Sequence, residues 1–270
     1  TKLVAITEML RDQSRSLDIW SLIVIQLMLI GVLAISVLRE QRLALDWHFA
    51  IATIVLGLTF LVMPYQLFGS GSADIRMTPL MAMTAILAVA SPRGAIDQLC
   101  ALLATALLAV RLVVGAEGYA GYDRDFTSHL RALDHIAPGS KVVELVAWPC
   151  EQSWREPRTQ HLASLAVVRR DAFVNTHWNI AGAELLVPKG ALGTPYNADP
   201  SQFVFDFKHC PPDLRPRLAQ KIAQVPQQIF DYVWVFGFNP ASLPAYPGLH
   251  PLYADGASVL YAVEGRKPQR

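Results

Sequence analysis

The sequence predicts a membrane α-helical bundle of four spans followed by a soluble α/β domain with a mostly parallel sheet. Three observations lead there. The 270 residues are 53% hydrophobic and 17% charged, against about 25% charged in an ordinary soluble domain. The deficit is local: no charge occurs from Ile19 to Leu38 or from Phe49 to Ser72. From Asp123 onward charges and prolines return, and runs with helical period alternate with β-rich runs. Two compositions in one chain imply two solvents, lipid first and water second. The expected organisation is a juxtamembrane segment over 1–18, a transmembrane region over 19–115 and a soluble domain over 116–270.

The first span, Ile19 to Leu38, is long enough to cross ~30 Å of hydrocarbon as a helix, and Arg39, Glu40 and Arg42 stop it. The second runs from Phe49 to Phe68 behind Trp47 and His48, with Pro64 near its far end as a kink or stop. The third, Met77 to Ala90, opens with Pro79 in its first turn. It is short enough to be tilted or half-inserted instead of crossing. Ser91 to Gly94 is a turn, and the fourth span covers Ala95 to Val114, with Asp97 and Arg111 near its ends as snorkelling boundary markers. Loop charge is divided. Arg39, Arg42 and Arg93 favour those loops as cytoplasmic, while Lys2, Arg11 and Arg15 argue the other way. The expected placement is the bacterial inner membrane with the soluble domain in the periplasm. The chain begins at Thr1 without a cleavable-signal pattern, which predicts a processed chain or a piece of a longer polytopic protein.

In the second half, Phe126 to Ile136 reads as a short helix and Lys141 to Trp148 as a buried strand. A helix over His161 to Arg170 and a short strand over Ala172 to Asn175 follow. Asp213 to Ala223 is an amphipathic helix with Leu214, Leu218 and Ile222 on one face. Tyr232 to Phe238 and Ser258 to Glu264 are strands. Alternating helices and strands predict a mostly parallel sheet with helices packed on it. Gly182 to Pro212 and Asn239 to Pro251 are rich in proline and irregular, as binding loops or as covers facing the membrane.

The net charge is +1 and no basic run occurs, so no nucleic-acid partner is expected. GxGxxG, Walker, HExxH, nucleophile-elbow and CxxC patterns are absent. Cys100 reads as packing inside the fourth span. Cys150 and Cys210, each beside proline, are a disulfide in an oxidising compartment or two unrelated buried thiols. The histidines at 129, 135, 161, 177, 209 and 250 lack i, i+4 spacing, and neither a metal nor a cofactor is expected. The loop between the second and third spans carries Asp74 and Arg76 at the lip of the bundle. There arginine suits a phosphate and aspartate a cation or a sugar hydroxyl, unless the two are a plain interfacial ion pair. Trp148, Trp154 and Trp178 cluster with Arg155 and Arg158, a composition suited to sugars, phosphates or lipid headgroups.

Three short patterns carry a resemblance. Pro64-x3-Phe68-Gly69 leads into Ala73-Asp74-x-Arg76-x2-Pro79; Pro138-Gly139-Ser140 leads into the strand from Lys141; Phe230-Asp231-Tyr232-Val233-Trp234-Val235 precedes a closing Leu260-Tyr261-Ala262-Val263. This layout resembles the C-terminal part of bacterial polytopic proteins similar to GT-C-type glycosyltransferases, which take a sugar from a polyprenyl-phosphate donor at the periplasmic face. The resemblance implies Asp74 and Arg76 as headgroup contacts and the α/β domain as a lid over an acceptor site. The catalytic carboxylate of that class lies in a first outer loop that nothing here matches. The implied partners are the lipid bilayer and a polyprenyl-phosphate sugar. The alternative is a non-catalytic accessory subunit that docks on other membrane subunits.

Overall fold

The uninterrupted apolar runs of the first half become helices in the computed structural model, which describes residues 2–38, 45–67, 71–89, 95–150, 154–155, 157–176, 195–205, 210 and 217–266. The chain divides into two compact units, Thr1–Tyr119 and Ala120–Arg270. The first unit holds α1 (Lys2–Thr7), α2 (Arg15–Leu38), α3 (Trp47–Val62), α4 (Met77–Ala88) and most of α5 (Ala95–Leu130). Two of these helices, α2 and α5, are long and apolar enough to cross a bilayer by length and composition. That replaces the expected four spans. At 1.5 Å per residue, the 16 residues of α3 and 12 of α4 reach only ~24 and ~18 Å, short of ~30 Å of hydrocarbon.

Local chemistry sets these lengths. Asp46 opens α3 by accepting from the backbone N–H of His48 and Phe49. Its far end stops at Met63, extended as the residue before a proline must be. α4 stops where its Ala88 carbonyl is taken by the Asp46 N–H, beside a bridge between Leu45 and Val89. The Thr53 and Thr84 hydroxyls bond at 3.0 Å between α3 and α4. By contrast, α5 does not stop at Val114. No proline occurs between Pro92 and Pro138, and Gly115, Gly118 and Gly121 lower helix propensity without breaking the ladder. At Gly118 the helix is approached closely by Gln13: a Cβ there would sit 2.6 Å from the Gln13 side chain, which would have to move.

The second unit is built on a sheet of β1 (Lys141–Ala147), β2 (Phe173–Val174), β3 (Phe203–Val204), β4 (Tyr232–Phe236), β5 (Leu249–Asp255) and β6 (Ser258–Val263), in the order β2-β1-β4-β6-β5 with β3 also on β1. β2, β3 and β4 all run parallel to β1, while β6 is antiparallel to both β4 and β5. The sheet is therefore mixed, which corrects the mostly parallel expectation at its closing hairpin. Only two residues, Gly256 and Ala257, join β5 to β6, and a link that short admits antiparallel pairing alone. β5 itself lies in a stretch that begins inside the irregular, proline-rich segment. Pro251 is tolerated because β5 is an edge strand with a register shift between Pro251 and Tyr253.

β1 and β4 are buried on both faces, which is why they read as continuous apolar runs. One face packs Val142, Val146, Trp234 and Phe236 against Ala163, Ala166 and Leu133. The other packs Val143, Val233 and Val235 against Leu218 and Ile222 of α7 (Leu218–Gln224). On the first face, α6 (Leu165–Arg170) follows a 3-10 turn over Leu162–Ser164. β2 and β3 share one edge of β1 and leave a gap between them at Glu144. The Asn175 side chain fills that gap. Its Oδ1 accepts from the Glu144 N–H at 2.7 Å, and its Nδ2 donates to the Glu144 carbonyl at 3.3 Å and to Ser201 Oγ at 2.8 Å. A buried asparagine thus supplies the ladder bonds that a longer strand would have made.

Candidate functional site

In the first unit, Asp74 is buried in the loop before α4 and its partner is Lys2. Lys2 Nζ donates to Asp74 Oδ2 at 2.7 Å and to the Met63 carbonyl at 2.5 Å, and stands 4.9 Å above the Phe60 ring. The hydrogen bond and charge from Lys2 outweigh burial and hold the Asp74 carboxyl below its ordinary pKa. Arg76 is exposed and forms no ion pair among the described residues. The two residues of this loop do not form an ion pair with each other: the aspartate ties α1 to the end of α3 through Lys2.

A second arrangement in this unit was not singled out from the sequence. Asp18, 2% exposed at the start of α2, binds Arg111 of α5 through Oδ1 at 2.8 Å and accepts from the Asp12 N–H through Oδ2 at 2.7 Å. Arg111 donates further to Ser21 Oγ at 3.3 Å and to the Leu10 carbonyl at 2.9 Å. Arg111 is thus not simply a snorkelling boundary marker. Of the five N–H groups of a guanidinium, these bonds occupy three. An apolar cavity of about 350 Å³ runs from Arg111 between α2, α4 and α5, walled by Ile25, Met28, Leu29, Ile86, Ala104 and Leu107. The stretch of α5 lining it, Cys100 to Arg111, is ~16 Å long. The arrangement is amphiphilic: a greasy slot with the half-buried Arg111 at one end, held by the buried Asp18. The readable signal was opposite charge at matched ends of two apolar helices, aspartate before the first and arginine at the end of the last.

In the second unit, Cys150 and Cys210 form a disulfide with Cα atoms 5.1 Å apart, Cys210 being fully buried. Trp148 packs against Phe203 with ring centres 5.0 Å apart and planes tilted by 45°. Arg155 and Arg158 lie over the ring of Tyr122, 4.6 and 5.1 Å from its centre, and Arg155 Nε donates to the Tyr122 hydroxyl at 2.6 Å. His177, Trp178 and His209 lie outside the described residues. Among the described residues no cluster of three or more His, Cys, Asp or Glu could hold a metal ion.

Glu144 is the charged side chain the β1 sequence conceals: an acid inside Val-Val-Glu-Leu-Val, fully buried. Neither carboxyl oxygen has a hydrogen-bond partner. Burial drives its pKa well above the ordinary glutamate value. The N–H groups of Ala163 and Leu162 pull it down without reaching hydrogen-bond geometry, and the Asp199 charge pushes it up. Its register partner on β4 is Trp234, whose indole N–H is also buried without an acceptor. Nearby, His161 adopts a left-handed φ of 63°. Its Nε2 lies 3.1 Å from Asp199 Oδ1, and its Nδ1 lies 3.1 Å from the Thr176 carbonyl. Gln202 joins both, donating to Asp199 at 2.6 Å and accepting from the His161 N–H at 3.3 Å. Burial raises the Asp199 pKa against the pull of His161 and Gln202. This network locks the turn before α6 to the segment before β3.

Comparison of the chain with family models, with curated proteins and with solved structures finds no match.

Proposed function

We propose that this chain is an integral membrane protein whose helical unit holds a polyprenyl-phosphate-linked sugar, as the C-terminal part of a glycosyltransferase-like protein of the bacterial inner membrane. The observation that carries the reading is the apolar slot between α2, α4 and α5 that ends at Arg111, itself paired with Asp18. An isoprenoid chain needs an apolar channel, and its phosphate needs N–H donors where the channel ends. The two remaining N–H groups of Arg111 supply them. In this reading α2 and α5 cross the bilayer, and the shorter α3 and α4 enter it partway as a hairpin. The Cys150–Cys210 disulfide supports an oxidising compartment, hence the periplasm, for the α/β unit.

The test is photo-crosslinking of the full chain in nanodiscs with a diazirine-bearing polyprenyl phosphate. Labelling should map to α2, α5 and the end of α4 around Ile86, be competed by unlabelled polyprenyl phosphate, and fall about tenfold when Ala104→Trp fills the slot. Labelling concentrated on α3, or unchanged in the filled variant, would end this reading. A second reading, an accessory subunit of a larger membrane complex, is favoured by one observation: the Asp18 and Asp74 carboxylates are each committed to an internal cation, leaving neither to act as a base. A partner recovered in fixed stoichiometry after mild detergent extraction would favour it.

A further inference from the structure

A polar groove of about 620 Å³ opens in the second unit, apart from the residues discussed so far. Its floor is one face of α5, where Asp123, Phe126 and Leu130 recur at helical spacing. Arg131 and Asp134 come from the 3-10 turn that follows, and Arg169 and Arg170 from the last turn of α6. Three guanidinium groups and two carboxylates therefore face one cavity of ligand size. Arg170 is fixed by donating to Asp134 at 2.9 Å, and its Nε is buried without a partner. Arg131 and Arg169 are exposed and form no ion pair among the described residues.

We propose that this groove binds a phosphate ester whose organic part carries hydroxyl or ammonium donors. The chemistry follows from the lining. Guanidinium forks match phosphate oxygens and exceed the carboxylates by one charge. The carboxylates of Asp123 and Asp134 accept from hydroxyls or an ammonium group, and would oppose a bare phosphate. Phe126 and Leu130 give a short carbon skeleton an apolar floor. A neutral polyol leaves the guanidinium groups unused, and an inorganic anion leaves the carboxylates facing like charge. This inference does not depend on the occupant of the helical slot.

The test titrates four probes into the full chain in detergent by calorimetry: glycerol 3-phosphate, phosphoethanolamine, inorganic phosphate and glycerol. The first two should bind about tenfold or more tighter than inorganic phosphate, and glycerol should not bind. Arg131→Ala and Arg169→Ala, both at exposed positions, should each weaken glycerol 3-phosphate several-fold. Asp123→Asn should weaken phosphoethanolamine and strengthen inorganic phosphate, a reversal of sign that loss of folding does not produce. Equal affinity for all four probes, no binding by any, or unchanged affinity in both arginine variants overturns the proposal. Repeating the titration in nanodiscs identifies the source, and either result supports the shared chemistry. Competition by phosphatidylethanolamine but not phosphatidylcholine means a lipid headgroup, and no competition means a soluble ester.

Discussion

Replacing Glu144 with glutamine should change how the stability of this protein depends on pH. In the folded chain the Glu144 carboxyl is fully buried and has no hydrogen-bond partner, so burial raises its pKa well above that of an unfolded glutamate. The sign follows from proton binding. Above about pH 4.3, where an unfolded glutamate ionises, the folded state still holds a proton that the unfolded state has released. Stability is fully present below that pH. It then falls by about 1.4 kcal/mol per pH unit until the raised folded pKa is passed. At pH 7 the loss is at most about 4 kcal/mol. Glu144→Gln removes the titration while keeping the shape. It should be equal to or slightly less stable than wild type at pH 5, because its amide N–H groups lack partners, and more stable at pH 7 and above. Thermal unfolding of the full chain in detergent, followed by tryptophan fluorescence, reads this directly, since Trp234 faces Glu144 in the core. With about 2–4 °C per kcal/mol for a unit of this size, the two curves should separate by several degrees between pH 5 and pH 7.5. Asp199 has a raised pKa too and its charge acts on Glu144, so the difference between the two proteins reports Glu144 together with that coupling. Parallel curves over this range would refute an uncompensated buried acid at Glu144.

Three further outcomes follow from the second unit. Reducing or replacing the Cys150–Cys210 pair, 60 residues apart, should cost about 4 kcal/mol in the chain-entropy model, read as a lower unfolding temperature of the Cys150→Ser/Cys210→Ser variant. The Asp255 carboxylate lies 2.8 and 2.9 Å from His129 Nδ1 and accepts from the N–H groups of Ala257 and Ser258. Burial alone would raise its pKa, but these bonds together with the His129 charge hold it below the ordinary value. Its contribution is therefore present at neutral pH and lost as pH falls below about 4. Asp255→Asn should cost about 1–3 kcal/mol at pH 7 and little near pH 3, as measured by unfolding at the two pH values. Gly237 has φ +82°, and a Cβ there would stand 2.7 Å from the Cβ of Ala147. Gly237→Ala should lose about 1–3 kcal/mol by the same measurement, and an unchanged transition would show that β1 and β4 give way at this point.

The sequence by itself determined where the composition changes and which runs carry the main elements. Two charge-free stretches and a run without proline are local facts, and so are the β-rich strings around Val143 and Val235, because hydrophobic period and backbone-breaking residues act over a few positions. What it left open depends on partners distant in the chain. The lengths of α3 and α4 are set by Pro64 and by an Asp46 bond to Ala88 across the helical hairpin. The direction of β6 depends on pairing with β5, an edge strand whose Pro251 disguised it as a loop. Asp74 and Arg76 are neighbours in sequence, yet tertiary structure gave Asp74 to Lys2. Arg111 at the end of the helical slot and its partner Asp18 are 93 positions apart, and the arginines of the polar groove come from two separate elements. Charges at that separation meet only when packing brings their helices together, and no local pattern records that meeting.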